Sequence, residues 1–191
     1  MKKDTYLFFL FFLLSGIILM SCGGASDQPA EETTAETAVE LEEPDPDLVY
    51  IGDIPVYTKF EALEPLFHQE NDSVYVINFW ATWCKPCVEE LPYFEDLHKK
   101  YKDQKVRVVL VSLDFPRQIE KKVLPFVEKH QLQSDVVVLA ETNSNNFIDK
   151  VDPTWSGAIP VTVIYNAKDR KFINSQLADY EELEEIVKNF L

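Results

Sequence analysis

An apolar run that ends in a pair of cysteines constrains the fold of this chain more than any other feature. Nearly every position of Val74–Trp80 (VYVINFW) is apolar, which is typical of a strand buried on both faces of a parallel sheet. The run leads into Cys84 and Cys87, and Pro86 lies between them. Proline is favoured in the first turn of a helix, where its missing N–H costs nothing. The segment therefore predicts a buried strand, a short loop bearing the cysteines, and a helix.

Strand and helix patterns alternate along the rest of the chain. Further strands are predicted at residues 106–113, 136–140, 161–165 and 171–174, and helices at 60–68, 86–101, 119–130 and 180–190. The last two strands flank a short polar stretch and so predict a hairpin. Strand–helix–strand alternation that ends in a hairpin and a helix indicates the α/β class with a mixed sheet. Residues 49–191 are enough for one domain around a single core.

The start of the chain has the pattern of an export signal. Two lysines precede an apolar stretch that runs from Tyr6 to Met20, which predicts a signal peptide over residues 1–21. The following Ser21-Cys22 completes a sequence that resembles the bacterial lipobox, which implies that Cys22 carries lipid as the first mature residue. An uncleaved membrane anchor is the alternative, although the stretch is shorter than the roughly 20 residues that a membrane span needs. In both cases the rest of the chain is exported.

A strongly acidic segment separates this signal from the predicted domain. Residues 23–48 contain nine Asp or Glu residues and no Lys or Arg. Such a segment cannot bury enough apolar surface to offset the entropy of ordering it, so residues 22–48 are predicted to form a disordered tether behind the lipidated cysteine. The formal net charge of −15 argues against nucleic acid as a partner, because nucleic-acid binding requires a basic surface.

The position of the two cysteines gives them different predicted chemistry. Cys84 falls at a helix N-terminus, where free N–H groups and the helix dipole stabilise a thiolate, and Lys85 adds a nearby cation. A thiolate is the attacking form of a cysteine, so Cys84 is the predicted nucleophile. Cys87 lies one turn deeper and is the predicted resolving thiol, which attacks the mixed disulfide formed by Cys84.

Two other interpretations of the Cys pair remain open from the residues alone. A Cys-x-x-Cys pair can be half of a structural zinc site, but such a site needs four ligands, and the three histidines are scattered at His68, His98 and His130. The pair could also form an inert structural disulfide, although so short a loop gains little chain entropy from closure.

The sequence NFWATWCKPCVEELP at residues 78–92 resembles the active-site segment of the thioredoxin superfamily. It is most similar to the TlpA/ResA-like branch of membrane-tethered, periplasm-facing thiol–disulfide oxidoreductases. The resemblance implies a thioredoxin-like α/β fold, with a central mixed sheet flanked by helices and an inserted helix–strand element at about residues 115–140. It implies a redox-active disulfide between Cys84 and Cys87 and requires no cofactor and no metal.

The same resemblance assigns further site residues. The superfamily has a cis-proline loop that faces the Cys pair, and Ile159-Pro160 stands at that place, so the backbone of Ile159 is expected to pair with substrate and Pro160 to be cis. Trp83 is expected to form part of the substrate platform, with plain packing as its alternative. Glu90 is expected to assist proton transfer from the resolving cysteine. The alternative is that Glu90 is a solvated charge that interacts favourably with the helix dipole in the first turn. Asn78 replaces the buried Asp of thioredoxin itself.

The two remaining tryptophans, Trp80 and Trp155, are expected in two different places. Trp80 lies within the predicted strand and is expected in the core. Trp155 is expected either to line the substrate groove or to pack beneath the loop that precedes Pro160.

In the branch that the sequence resembles, the activity is typically reduction of disulfides in exported proteins, for example in cytochrome c maturation, fed by a membrane electron donor. The expected partners are therefore exported protein thiols and disulfides and a membrane thiol–disulfide relay. The protein is expected to be a monomer, lipid-anchored in the bacterial cell envelope and facing the periplasm. A redox-inactive or metal-handling binding module on the same fold is the alternative, and the lack of a His in the segment just before Pro160 argues against metal handling.

Overall fold

A computed structural model of the protein describes residues 45–191. The predicted signal peptide, Cys22 and the predicted tether as far as Pro44 lie outside the described residues. Residues 45–191 contain seven strands: β1 (Leu48–Ile51), β2 (Ile54–Tyr57), β3 (Val74–Trp80), β4 (Val106–Ser112), β5 (Asp135–Leu139), β6 (Val161–Tyr165) and β7 (Arg170–Ile173). The same described residues contain five α-helices: α1 (Phe60–Leu63), α2 (Lys85–Tyr101), α3 (Leu124–His130), α4 (Ile148–Val151) and α5 (Tyr180–Lys188).

All seven strands belong to one mixed sheet, in the order β1-β2-β5-β4-β3-β6-β7. Strands β2, β5, β4 and β3 run parallel to one another, while β1, β6 and β7 pair antiparallel with their neighbours. The carboxyl ends of β3, β4 and β5 therefore meet at one edge of the sheet. This confirms the predicted α/β class and mixed sheet.

Helices cover both faces of the sheet, as the alternation of side chains along a strand requires. On one face, Val76 and Trp80 of β3 pack with Phe94 and Leu97 of α2 and with Leu183 of α5. On the other face, alternate residues of β3 and β4 pack with the segments around α1 and α4, including Phe60, Phe67, Phe147 and Trp155. The central strand β3 is buried at every position, in agreement with its apolar run.

Prolines interrupt two of the helices predicted from periodicity. The helix predicted over residues 60–68 is α1 followed by a 3₁₀ turn, Glu64–Phe67, and the helix predicted over 119–130 is a π-helical turn, Ile119–Val123, followed by α3. Pro65 and Pro125 stand at the two junctions. A proline inside a helix lacks the N–H that would bond to the carbonyl four residues earlier, so the helical hydrogen-bond pattern changes there. The inserted helix–strand element predicted at about residues 115–140 is present as this interrupted helix and β5.

The hairpin of β1 and β2 is missing from the sequence prediction. Leu48, which the prediction places at the end of the tether, is the first residue of β1. Pro55 argues against a strand inside a sheet, yet β2 pairs with β5 only through Val56 and Tyr57, so Pro55 leaves no ladder bond to β5 unmade. Gly52 makes the turn with a φ of 59°. Within residues 45–191, the helices are all too short or too polar to cross a membrane.

Candidate active site

Cys84 and Cys87 lie at the carboxyl end of the central strand and are joined by a disulfide. Cys84 is the N-cap residue of α2, and its Sγ atom accepts a hydrogen bond from the backbone N–H of Cys87 at 3.4 Å. The free N–H groups of a helix start carry partial positive charge. The site is therefore built to stabilise negative charge on the Cys84 sulfur once the disulfide is reduced.

The two sulfurs differ in how far solvent can reach them. Cys84 is 6% exposed, whereas Cys87 is fully buried beneath the first turn of α2. Lys85, between them, points outward with its side chain 87% exposed and lies 3.6 Å from Glu89, so its charge is screened by solvent. A partner molecule can therefore contact the Cys84 sulfur directly, whereas the Cys87 sulfur is shielded from solvent.

The segment before β6 faces the cysteine pair, and the sheet register explains why. Strand β6 runs antiparallel to β3 with Val161 opposite Phe79, so the residues just before Val161 extend past the carboxyl end of β3. The Ile159–Pro160 peptide bond is cis, and the carbonyl oxygen of Ile159 lies 3.8 Å from Cys84 Sγ. Pro160 is buried and Ile159 is half-buried. An extended chain bonded to Cys84 would therefore run alongside the Ile159 backbone.

Glu90 is fully buried, so the interpretation as a solvated first-turn charge is wrong. Its carboxylate accepts hydrogen bonds from Asn78 Nδ2 at 2.8 Å and from the backbone N–H of Leu177 at 2.9 Å. Burial removes the hydration of the charged form and raises the pKa of Glu90 to about 7, although these two donors oppose the shift. Glu90 lies one helical turn after Cys87, on the same face of α2.

Asn78 connects Glu90 to the cis-proline segment. Its Nδ2 atom also donates to the Thr162 hydroxyl at 3.0 Å, and Thr162 lies directly opposite Asn78 across the β3–β6 pair. The Oδ1 atom of Asn78 is buried and accepts no hydrogen bond. One acceptor of this network behind the disulfide therefore lacks a hydrogen-bond donor, and a buried polar group without a partner costs stability. The sequence identified Asn78 and Glu90 separately but gave no sign of Thr162 or Leu177.

The loops around the disulfide are tied together by Asp114, a residue that the sequence analysis missed. Asp114 follows β4, is 1% exposed, and accepts hydrogen bonds from the backbone N–H of Thr82 at 2.8 Å and from the hydroxyl of Ser112 at 2.9 Å. The Thr82 hydroxyl bonds to the same carboxylate. These bonds hold the loop that leads to Cys84 against the loop that follows β4.

The three tryptophans occupy three different environments. Trp80 is fully buried, which confirms its predicted place in the core, and packs on Phe126. Trp155 is 4% exposed, packs on Phe79, and donates from Nε1 to the carbonyl of Ala158 at 2.7 Å, so it supports the cis-proline segment by packing. Trp83 is 56% exposed beside Cys84.

Among residues 45–191, no cluster of three or more His, Cys, Asp or Glu side chains is arranged to hold a metal ion. His130 lies on α3, a different helix from the one that begins at the cysteines, and stacks against Phe126.

A cleft of about 590 Å³ lies beside α1 and the start of β4. It lies at the opposite end of the sheet from the disulfide, where Arg107 is paired with Asp135 at 2.6 Å.

Known proteins are similar to parts of this chain in sequence and in fold. The chain is 32% identical over 111 residues to the thiol-disulfide oxidoreductase ResA of Bacillus cereus, a match that covers 56% of this chain and 58% of that protein. It is 41% identical over 63 residues to the thioredoxin-like protein YneN of Bacillus subtilis, covering 33% of this chain and 36% of that protein. The chain thus matches little more than half the length of the first of these relatives and about a third of the second.

Solved structures of similar fold include the thioredoxin-related protein from Neisseria meningitidis serogroup B. It superposes with a TM-score of 0.54 at 27% identity and covers 64% of this chain and 88% of that one. A DsbF homologue from Corynebacterium diphtheriae superposes with a TM-score of 0.53 at 17% identity, covering 65% of this chain and 75% of that one. Residues 65–171, more than half of the chain, match the AhpC/TSA family. The protein therefore belongs to the AhpC/TSA family, has a thioredoxin-like fold, and is similar in sequence to ResA.

Proposed function

We propose that this protein is a thiol–disulfide oxidoreductase that reduces disulfides of exported proteins through Cys84 and Cys87. The observation that carries the proposal is the asymmetric disulfide at the start of α2, in which one sulfur is reachable and lies at the helix N-terminus while the other is fully buried. An inert structural disulfide has no need of this asymmetry. The similarity to ResA supports the same chemistry.

In the proposed reaction, the Cys84 thiolate attacks one sulfur of a substrate disulfide. The substrate S–S bond breaks, a mixed disulfide forms, and the first substrate sulfur leaves as a thiolate. Cys87 then loses its proton and attacks Cys84 Sγ, which releases the second substrate sulfur and leaves the Cys84–Cys87 disulfide. Two electrons pass to the substrate, and the disulfide in the structure corresponds to the end of this cycle.

Two neighbouring groups support these steps in the proposal. Glu90 takes the proton from Cys87, because a carboxyl whose pKa is about 7 is a far better base near neutral pH than an ordinary glutamate. The Ile159 backbone pairs with the substrate chain in the mixed disulfide, as an added strand does at a sheet edge, because its carbonyl already lies beside Cys84 Sγ. Trp83 forms part of the surface that the substrate contacts.

The cellular setting is also part of the proposal. The lipobox-like sequence supports export and a lipid anchor at Cys22, with the acidic residues 22–48 as a tether that lets a monomeric domain reach its partners in the periplasm. A membrane thiol–disulfide relay would then reduce the Cys84–Cys87 disulfide again. Cytochrome c maturation is one process that supplies exported protein disulfides of this kind.

Reduction of insulin tests the activity directly. With dithiothreitol as the electron source, the protein should accelerate the precipitation of insulin chains well above the uncatalysed rate. Cys84→Ser should return the rate to background, because it removes the attacking sulfur. Tyr50→Ser, which changes an exposed aromatic side chain on β1, should have no effect.

Trapping identifies the partners and addresses the alternative of a redox-inactive binding module. Cys87→Ser lacks the resolving thiol, so mixed disulfides at Cys84 should accumulate in cells and can be isolated under non-reducing conditions. If insulin reduction is absent and Cys87→Ser captures no protein, the oxidoreductase assignment is wrong and the binding module becomes the better one.

A further inference from the structure

An exposed pair of aromatic rings lies beside the disulfide. Trp83 is 56% exposed and Phe115 is 62% exposed, and their rings stack with centroids 6.4 Å apart. Among residues 45–191, the other large apolar side chains that are similarly exposed are Val49, Tyr50 and Leu191. Contiguous exposed apolar surface marks interaction sites, and Trp83 adjoins the reactive cysteine.

The rings are attached to a rigid support. Phe115 directly follows Asp114, and Trp83 directly follows Thr82, and these two preceding residues are joined by two partly buried hydrogen bonds. A preformed surface loses less conformational entropy on binding than a mobile one. The aromatic pair is therefore suited to bind a partner rather than merely tolerated at the surface.

A cleft continues the aromatic pair away from the disulfide. It has a volume of about 440 Å³ and is lined by Phe115, Pro116, Arg117, Gln118 and Thr142. Thr142 follows β5 and Phe115 follows β4, so the cleft lies outside the carboxyl ends of two neighbouring parallel strands. We call Trp83, Phe115 and this cleft the aromatic docking surface.

An exposed cation adjoins the apolar part of this surface. Arg117 is exposed at the cleft, and among the described residues it takes part in no ion pair. The chain as a whole carries a net charge of −15, so an accessible cation next to apolar surface favours a partner with a carboxylate at that point.

We propose that the aromatic docking surface recognises an extended segment of the substrate protein that carries a large apolar side chain followed by a carboxylate. This proposal rests on the proposed function, because it concerns the substrate of the Cys84–Cys87 pair. Trp83 is bonded to Cys84, and the Phe115 ring lies 6.4 Å from the Trp83 ring, so Phe115 is on the order of 10 Å from the reacting sulfur. An extended chain rises about 3.3 Å per residue. The apolar side chain is therefore expected about three residues from the substrate cysteine.

Matched peptides test this inference. Each probe is a short peptide whose single cysteine is held in a mixed disulfide with cysteamine, and the reduced protein releases cysteamine from it. One peptide has Phe three residues from the cysteine and a second has Ser there. The wild-type protein should reduce the Phe peptide on the order of ten times faster in kcat/KM, the difference expected from burying one aromatic side chain. Phe115→Ser should bring the two rates to within about twofold.

A second peptide pair tests Arg117. Glu or Gln follows the Phe, and the wild-type protein should favour Glu by about threefold at low ionic strength and by less in high salt, as an exposed charge pair requires. Arg117→Gln should remove this preference and leave the preference for Phe intact. Tyr50→Ser is the control for removal of an exposed aromatic side chain elsewhere and should leave both preferences unchanged.

Small and unreactive probes separate the two proposals. Hydroxyethyl disulfide is too small to reach Phe115, so wild type and Phe115→Ser should reduce it equally. Equal rates on the Phe and Ser peptides, with normal reduction of hydroxyethyl disulfide, would overturn the docking surface and leave the oxidoreductase assignment standing.

If hydroxyethyl disulfide is not reduced at all, the proposed function fails. A fluorescently labelled Phe peptide with Ser in place of its cysteine then decides the docking surface alone. Binding that Phe115→Ser abolishes would retain it, and absence of binding would refute it.

Discussion

Replacing Glu90 with Gln tests whether this carboxyl is a buried, high-pKa group. Burial raises the pKa of Glu90 from 4.5 to about 7, so between these pH values the folded protein holds a proton that the unfolded chain has released. The free energy of unfolding must then fall as the pH rises through this interval. The stabilisation that protonated Glu90 gives the folded state, relative to ionised Glu90, is complete below pH 4.5 and is lost above about pH 7.

The magnitude follows from the size of the shift. Each pKa unit corresponds to 1.36 kcal/mol, so the ionisation of Glu90 should cost about 3 kcal/mol of stability between pH 4 and pH 8. Glu90→Gln keeps the shape of the protonated carboxyl but cannot ionise. The Gln amide, like the protonated carboxyl, places one hydrogen-bearing atom against the donors Asn78 Nδ2 and Leu177 N–H. The energetic cost of this contact in the variant does not depend on pH, so it cancels when the stabilities at two pH values are compared. The variant should therefore gain about 3 kcal/mol relative to wild type on going from pH 4 to pH 8.

Urea unfolding of the oxidised protein at several pH values measures this difference, because neither active-site cysteine titrates while the disulfide is intact. Glu89→Gln is the matched control, since Glu89 is the preceding residue of the same helix and its side chain is 53% exposed. Its stability relative to wild type should change little with pH. If the difference between Glu90→Gln and wild type is equally flat, Glu90 does not have a raised pKa and its proposed role as a base loses its physical support.

Three further substitutions test other parts of the fold. Phe94→Ala removes a fully buried ring between α2 and the sheet and should lower the free energy of unfolding by about 3–5 kcal/mol in urea titrations; a loss below about 1 kcal/mol would contradict the packing described. Asp114→Asn places an N–H₂ group against donors of Thr82 and Ser112, so it should lower the free energy of unfolding by about 1–3 kcal/mol. It should also reduce the preference for the Phe peptide over the Ser peptide, because it loosens the support of Phe115. The lysines and tyrosines that donate to Glu184 hold its pKa well below 4.5, so its stabilisation is complete at neutral pH and is lost progressively as the pH falls from 4.5 towards the lowered pKa. Glu184→Gln should therefore be less stable than wild type at pH 7, and by a smaller margin at pH 3, as thermal unfolding at both pH values would show.

The parts of the fold with strong local signals were predicted well. The limits of β3 and β6 were predicted to the residue, because both are mainly apolar runs, each with one polar residue, and both are buried at every position. The helix α2 was predicted to within one residue, because Pro86 marks its first turn. The β1–β2 hairpin was not predicted, because its strands are short and Pro55 argues against one of them, while the limited pairing of β2 with β5 that tolerates this proline is a tertiary feature.

The candidate site was predicted less completely than the fold. The position of the cysteines at a helix start identified them, and the resemblance identified Glu90, but the burial of Glu90 was missed although a signal was present. Glu90 stands three residues after Cys87 and four before Phe94, so it belongs to the apolar stripe of α2. The contacts of Glu90 with Leu177 and of Asp114 with Thr82 join segments far apart in the chain, and no local pattern in one sequence indicates them.

The raised pKa of Glu90 connects the stability of the domain with its proposed chemistry. An ordinary glutamate has a pKa far below that of a thiol, which is near 8.5, and would be a weak acceptor for the proton of Cys87. Burial raises the pKa of Glu90 to about 7, which makes its carboxylate a better proton acceptor near neutral pH than an ordinary glutamate. The same burial makes the folded state about 3 kcal/mol less stable at pH 8 than a neutral group would, a large share of the 5–15 kcal/mol typical of a domain. If Glu90 is the base, Glu90→Gln should gain stability relative to wild type between pH 4 and pH 8 and should also be slower in the second step, resolution of the mixed disulfide. A variant that gains stability in this way and resolves at the wild-type rate would place the proton acceptor elsewhere.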